Sequence, residues 1–569
     1  MTAPPPLIAP GSLAGSWGRL PHLDAVVLDG CQLHHYRRSL ARPDRPWVRL
    51  AAVTQAATGP GRLLRHRRRL YTVVPEGATT ATYLLGPHGW SPVDVVIRPR
   101  DAPATPDPPF PEALMAGSRH VHAIATAGVR GRQYALADED GSVFGYRRHG
   151  DGWERDSCLR LSDPEPFAVA DIESVKLAQV TGERDATPTP WGERAPTLST
   201  SLSTAGIRGT DLGVRVDHAG RTFLFFGDTH WEGRPWLATR DAIAEVLPGV
   251  PTPPGEQAAT ASLPRVRFSG SPLELVGHRA GRVTMREYDV PLDGFSFGGR
   301  LYGFFSSNHF RRGRVMGRSV LAQAVDAEPV IDPAERRRPV RFELLGTFSD
   351  RHFINASVQL RPAAAVPGCG SDGEVLLVWG SGPYRASELR LAVLDQDALA
   401  ALAAGHLPRP RYWDGGGWSE AELDARPLFG PAALGEVSVR WVPAADRYLM
   451  LAASGPGEAI GPSVVLRTAT APQGPWSRRL RLLDWVTTGM SLDPHTRFLK
   501  ASHEGDPVGD RIFRSQARGT GAAYAPYLFD AVAHGDDLVL RYTLSTWNPY
   551  QVVLMQHRLQ LSELEPGPR

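Results

Sequence analysis

The sequence predicts an all-β protein in which a C-terminal five-bladed β-propeller follows an N-terminal β-repeat module, itself propeller-like. Three observations predict it. First, an apolar strand ending in small polar residues recurs five times: FLFFGDT (223–229), LYGFFSS (301–307), VLLVWGS (375–381), YLMLAAS (448–454) and LRYTLST (540–546). Second, a loop and another apolar strand follow each copy: AIAEV (242–246), SVLAQA (319–324), LRLAVL (389–394), SVVLRTA (463–469) and QVVLMQH (551–557). Five strand-rich units at long, regular spacing suit five sheets around an axis, with the recurrent strands innermost and their polar ends gathered at one channel mouth. Third, residues 23–38, 69–86 and 120–148 each give a strand, a turn and a second strand, followed by Trp47, Trp90 and Trp153; Trp17 precedes the first.

Taken in order, residues 1–165 form the β-rich repeat module. Its Trp residues suit packing between sheets; an aromatic, lectin-like site is the alternative. The cluster Arg62, Arg65, His66, Arg67, Arg68 and Arg69 lacks interleaved aromatics and reads as a solvated turn rather than a phosphate site. APATPDPPFP (102–111) is a Pro-rich loop. Residues 166–196, including TPTPWGERAP, form a Pro-rich linker or entry segment. The propeller spans 197–560 and a tail 561–569. Within the propeller, DQDALAALAAG (395–405) has the pattern of a short inserted helix.

Composition removes several functions. A formal charge of +3 over 569 residues does not suit a nucleic-acid partner. No apolar run reaches the length of a membrane span. Cys31, Cys158 and Cys369 are too far apart for a disulfide framework or zinc spacing. The N-terminus lacks a basic start followed by an apolar block, so the expected location is cytoplasmic, or secreted if a leader has been removed. Lys176 and Lys500 are the only lysines, a bias toward Arg that fits GC-rich coding.

The candidate chemistry centres on GTDLGVRVDHAGRTFLFFGDTHW (209–231), read as a hairpin that turns at Asp217-His218-Ala219-Gly220. Pairing Val216 with Arg221 sets Asp211 opposite Phe226, with Asp228 two residues beyond. Both carboxylates then reach one open end, about 7–9 Å apart between Cα atoms. Carboxylates held by a stiff hairpin suit acid/base work; loop caps are the alternative. Other groups are expected at the same mouth: Asp241, Asn308, His309, His352, Asn355, Trp379, Tyr384 and Arg385, then Tyr527, Trp547 and Asn548 as aromatic and amide surface for a sugar. In GEVSVRW (435–441), alternation puts Glu436, Ser438 and Arg440 on one face, where Arg440 holds Glu436 ionised or forms a structural ion pair. There is no HExxH, EF-hand loop, phosphate-cradling Gly loop or GxSxG elbow, so no metal and no cofactor are expected. The remaining chemistry for carboxylates around a cleft is glycoside hydrolysis.

The segments GTDLG (209–213), FGDT (226–229), RDAIA (240–244), GRLYGFFSS (299–307), MGRSVLA (316–322), FINAS (353–357), WGSGPYRAS (379–387), GEVSVRW (435–441), GPW (474–476), APYLFD (525–530) and YTLSTWNPYQVVLM (542–555) carry a resemblance. Over about residues 195–560 the chain resembles an actinobacterial family of five-bladed propellers long labelled a domain of unknown function. Its members include endo-D-arabinanases that cut mycobacterial arabinan. The resemblance implies a glycan substrate, with Asp211 as general base. It makes Asp228 the acid or a substrate-positioning group, and Glu436 the rival acid. Two other functions stay open: a non-catalytic, carbohydrate-binding propeller, and a scaffold whose N-terminal module meets a protein partner.

Overall fold

The structure is a computed structural model. It describes residues 7–561 apart from 9–11, 17–20, 30, 42–46, 67–68, 77–78, 87–88, 94–120, 130, 140–141, 150–151, 161–166, 190, 235–239, 250–262, 278–280, 284–288, 308–315, 383–386, 430–433, 455–459, 502–505, 507, 511, 514–515 and 517–518. The chain forms two compact units, one over residues 1–164 and the other over most of 165–569. Among the described residues, no helix is long and apolar enough to cross a membrane.

In the first unit, the described residues form three four-stranded antiparallel sheets, each in simple up-and-down order. The three sequence repeats supply their hairpins, such as His22–Asp29 with Gln32–Ser39. Trp47 and Trp153 are buried, and Trp90 packs edge-on to the buried His35 at 5.3 Å. These rings pack inside the unit, as the sequence reading expects, rather than forming an open aromatic site.

The second unit is a propeller, and its core shows how it closes. Its described buried residues fall into five apolar clusters, each shared by two neighbouring sheets. Val214, Phe223 and Phe225 of the first sheet meet Leu301, Phe305 and Phe342 of the second. The second meets the third through Phe304, Leu321, Val358 and Val378. Trp379, Leu391, Val439 and Tyr448 join the third to the fourth. Leu449, Leu466, Leu540 and Met555 join the fourth to the fifth. Leu224, Phe226, Val552 and Leu554 return the circle to the first. Successive residues of Arg221–Trp231 thus face opposite neighbours, which explains the uninterrupted FLFF run: a strand buried on both faces loses polar alternation.

The five recurrent strands are the second of each sheet, not the innermost. The inner ring, in cyclic contact, comprises Ile207–His218, Pro291–Phe297, Asn355–Pro362, Leu434–Val442 and Ala523–His534. These strands carry polar residues and bulges, so apolar periodicity does not expose them. Side chains tie the ring together. Ser438 Oγ accepts from Leu528 N (3.1 Å), and Ser545 Oγ accepts from Leu212 N (2.7 Å). Ser357 Oγ accepts from Val439 N (3.0 Å) and donates to Asp293 (2.9 Å). Segment 166–196 enters the sheets: Val175–Gln179 pairs antiparallel with Gln551–Gln560, and Ala168–Val169 pairs parallel with Leu480–Asp484. The inserted helix is Gln396–Ala403, capped by Asp395, whose carboxylate accepts from Ala398 N.

Candidate active site

The hairpin carries Asp211 and Asp228 to one end of the ring, in a register different from the one read in the sequence. Its strands continue to His218 and Arg221, and the turn is only Ala219-Gly220, at φ 49° and 73°. Positive φ at both central residues is the two-residue turn that matches strand twist. A bulge at Leu212-Gly213, at φ 68° and 97°, then shifts the pairing by one. Asp211 therefore stands opposite Gly227, beside Asp228. Gly227 has no room for a side chain: a Cβ there would lie 2.7 Å from Val290 and 2.8 Å from Asp211 Oδ1.

Each inner strand carries a polar group within its first few residues or just before it: Asp211, Asp289 just before Pro291, Asn355, Glu436 and Tyr524. Electrostatics link several of them. Burial pushes the Asp211 carboxyl up to about 6, and the charge of Glu436 adds to the rise. The hydroxyls of Tyr524 and Tyr550 pull it down. Tyr524 donates to Asp211 Oδ2 at 2.8 Å, and the Tyr550 hydroxyl also reaches the Asp228 carbonyl at 3.4 Å. Burial, with the charges of Asp228, Asp211 and Asp289, holds Asp241 well above the usual carboxylate range. At the mouth, Asp211 Oδ1 and both amide atoms of Asn355 are buried with no hydrogen-bond partner among the described residues. Among the described residues, no three His, Cys, Asp or Glu are arranged to hold a metal ion. The mouth is thus a set of carboxylates in unequal environments beside hydroxyl donors, an arrangement suited to proton transfer.

Several expected site residues lie elsewhere. Arg440 does not pair with Glu436. Its guanidinium makes a two-pronged contact with the fully buried Asp293 (2.9 and 2.8 Å) and also donates to Ser357 Oγ (3.0 Å). The reason is ring geometry: Asp293 belongs to the second inner strand and Ser357 to the third, and Arg440 spans both from the fourth. Trp379 is fully buried between sheets, with its indole N–H on Pro472 O (3.0 Å). Tyr527 is core, and Asn548 is buried, its amide donating to Gln516 O and Gly519 O. Trp547 is part-buried and stacks on Phe513 at 4.9 Å. His352 N donates to Glu422 (2.8 Å). Asp241 is fully buried and accepts from Asp228 N, so it does not face a ligand. Asn308, His309, Tyr384 and Arg385 lie outside the described residues.

Asp289 and the paired tyrosines escaped the sequence reading as acid/base partners. The missed signal was a polar residue near the head of each inner strand. His230 escaped as well: it lies two residues past Asp228, edge-on to Phe513 (4.5 Å) and Tyr550 (5.8 Å), and burial holds its imidazole below the usual range.

Comparison with known proteins gives one family: a model described as a domain of unknown function, DUF4185, matches residues 198–556. No curated protein matches. Among solved structures, the chain is similar to an exo-β-1,3-galactanase from Phanerochaete chrysosporium at 9% identity and a TM-score of 0.32, covering 69% of this chain and 66% of that one. A thermostable family-43 glycoside hydrolase gives 13% and 0.29, covering 63% and 95%. A GH43_1 enzyme from Xanthomonas citri gives 12% and 0.28, covering 63% and 91%. Likeness this slight carries no argument about chemistry.

Proposed function

We propose, for a chain that belongs to the DUF4185 family, a glycoside hydrolase that cuts a furanoside-containing glycan by two-carboxylate catalysis. One observation carries the proposal: Asp211, buried at the mouth, is pushed up to about 6 beside Glu436 and under two tyrosine hydroxyls. A base is most effective when its pKa lies near the working pH. In the proposed reaction, water attacks the anomeric carbon while Asp211 takes its proton. Asp228 or Glu436 gives a proton to the leaving oxygen, so the glycosidic bond breaks with charge balanced. The resemblance in the sequence directs the choice of substrate to D-arabinan.

The test is product release from mycobacterial arabinogalactan by the purified chain, beside Asp211→Asn. The expected result is oligosaccharides from the native chain and none from the variant, with activity falling as the pH drops below about 6. Glycan binding by both proteins without product from either would replace the hydrolase by a carbohydrate-binding propeller.

A further inference from the structure

Asp228 stands in a break of its own sheet. Phe226 pairs with Ala242 and Thr229 pairs with Arg240, so Gly227 and Asp228 together oppose the single residue Asp241. Two residues against one is a β-bulge, a device that re-aims a side chain at the cost of ladder hydrogen bonds. Asp228 also takes a left-handed backbone, φ 36°, which an L-residue holds only when its surroundings impose it. The carboxylate opposite supplies that constraint: Asp241 Oδ1 accepts from Asp228 N at 3.1 Å. Thr210 Oγ1 secures the flanks, donating to Gly227 O (2.6 Å) and meeting Thr229 Oγ1 (2.7 Å).

We propose that Asp241 is a positioning residue, whose buried carboxyl replaces the sheet partner that Asp228 loses at the bulge and so aims the Asp228 side chain at the mouth. The importance of that aim rests on the function proposed above; the hydrogen bond itself does not. Asp241 is fully buried, and Oδ2 has no hydrogen-bond partner among the described residues. Asp211 of the inner strand, Asp228 of its own neighbour and Asp289 of the next sheet all bring negative charge to it, and Arg240 precedes it on its strand. An ionised carboxylate is costly there, which favours the neutral acid, and in either form Oδ1 accepts from Asp228 N.

Asn matches a neutral carboxyl in shape and keeps that acceptor, whereas Ala and Leu lack it. Hydrogen exchange of the full chain, read on peptides across 226–231, needs no substrate. Asp241→Asn should keep the Asp228 amide protected to within about threefold, and Asp241→Leu should expose it by at least about tenfold, with the third inner strand unchanged as a folding control. Asp241→Ala, if folded, should match Leu. On a substrate that is turned over, kcat should drop less than about tenfold for Asn but on the order of 100-fold for Leu, the scale of a misplaced catalytic group. Unchanged exchange in the Leu variant would overturn the proposal. So would an Asn variant that keeps its protection yet loses as much activity as Leu, because Asp241 would then act through its charge. If no glycan is cut at all, exchange still decides the role of Asp241.

Discussion

Asp211→Asn should remove activity and yet stabilise the propeller. Burial holds the Asp211 carboxyl at about 6, against 3.8 for the exposed group. That is about two pKa units, and at roughly 1.4 kcal/mol per unit the ionised side chain destabilises the fold by about 3 kcal/mol at high pH. The sign follows from the direction of the shift. The folded chain binds the proton more tightly than the unfolded chain, so the cost is nearly complete above about pH 6, about half remains at pH 5, about a fifth at pH 4, and almost none below about pH 3. Asn carries no charge at any of these values and still offers an acceptor to Tyr524. The unfolding entropy of a unit of roughly 400 residues is about 0.8 kcal/mol per kelvin, so the gain at pH 8 should appear as about 3–4 °C in Tm. Thermal melts followed by circular dichroism at pH 8, 5 and 4 give the measurement. A variant that melts no higher than the native chain at pH 8, or that keeps its whole advantage at pH 4, would refute the claim that Asp211 is ionised at a cost.

Two further changes separate the mouth from the frame. Gly227→Ala sets a methyl group against Asp211 Oδ1 and Val290; it should cost about 1–3 kcal/mol in denaturant unfolding and lower kcat by more than that loss accounts for. Arg440→Met strands Asp293, which is fully buried, and should cost about 3–5 kcal/mol while leaving KM unchanged. Pairing it with Asp293→Asn should return much of the stability, and a KM effect that survives in the double variant would mean that Arg440 meets substrate after all.

The sequence by itself determined the all-β class, the number of repeats, the inserted helix and two carboxylates brought to one end of a hairpin. Each depends on local chemistry: apolar runs, turn residues, an Asp cap and strand alternation. Tertiary structure decided the rest. Strand order was hidden because the doubly buried second strands look more core-like than the inner strands, which line the ring with polar residues. The bulge at Leu212-Gly213 moved Asp211 by one residue, and a one-residue shift changes every neighbour. Trp379, Tyr527 and Asn548 have side chains that suit a sugar, but the apolar core claims the two rings and the carbonyls of Gln516 and Gly519 claim the amide. Arg440 finds Asp293, 147 positions away, instead of Glu436 on its own strand. Asp241 shares its residue type with Asp211, yet only the sheet break opposite it makes it a buried support. Residue type and spacing reveal which groups are available; closure of the ring settles which face one another.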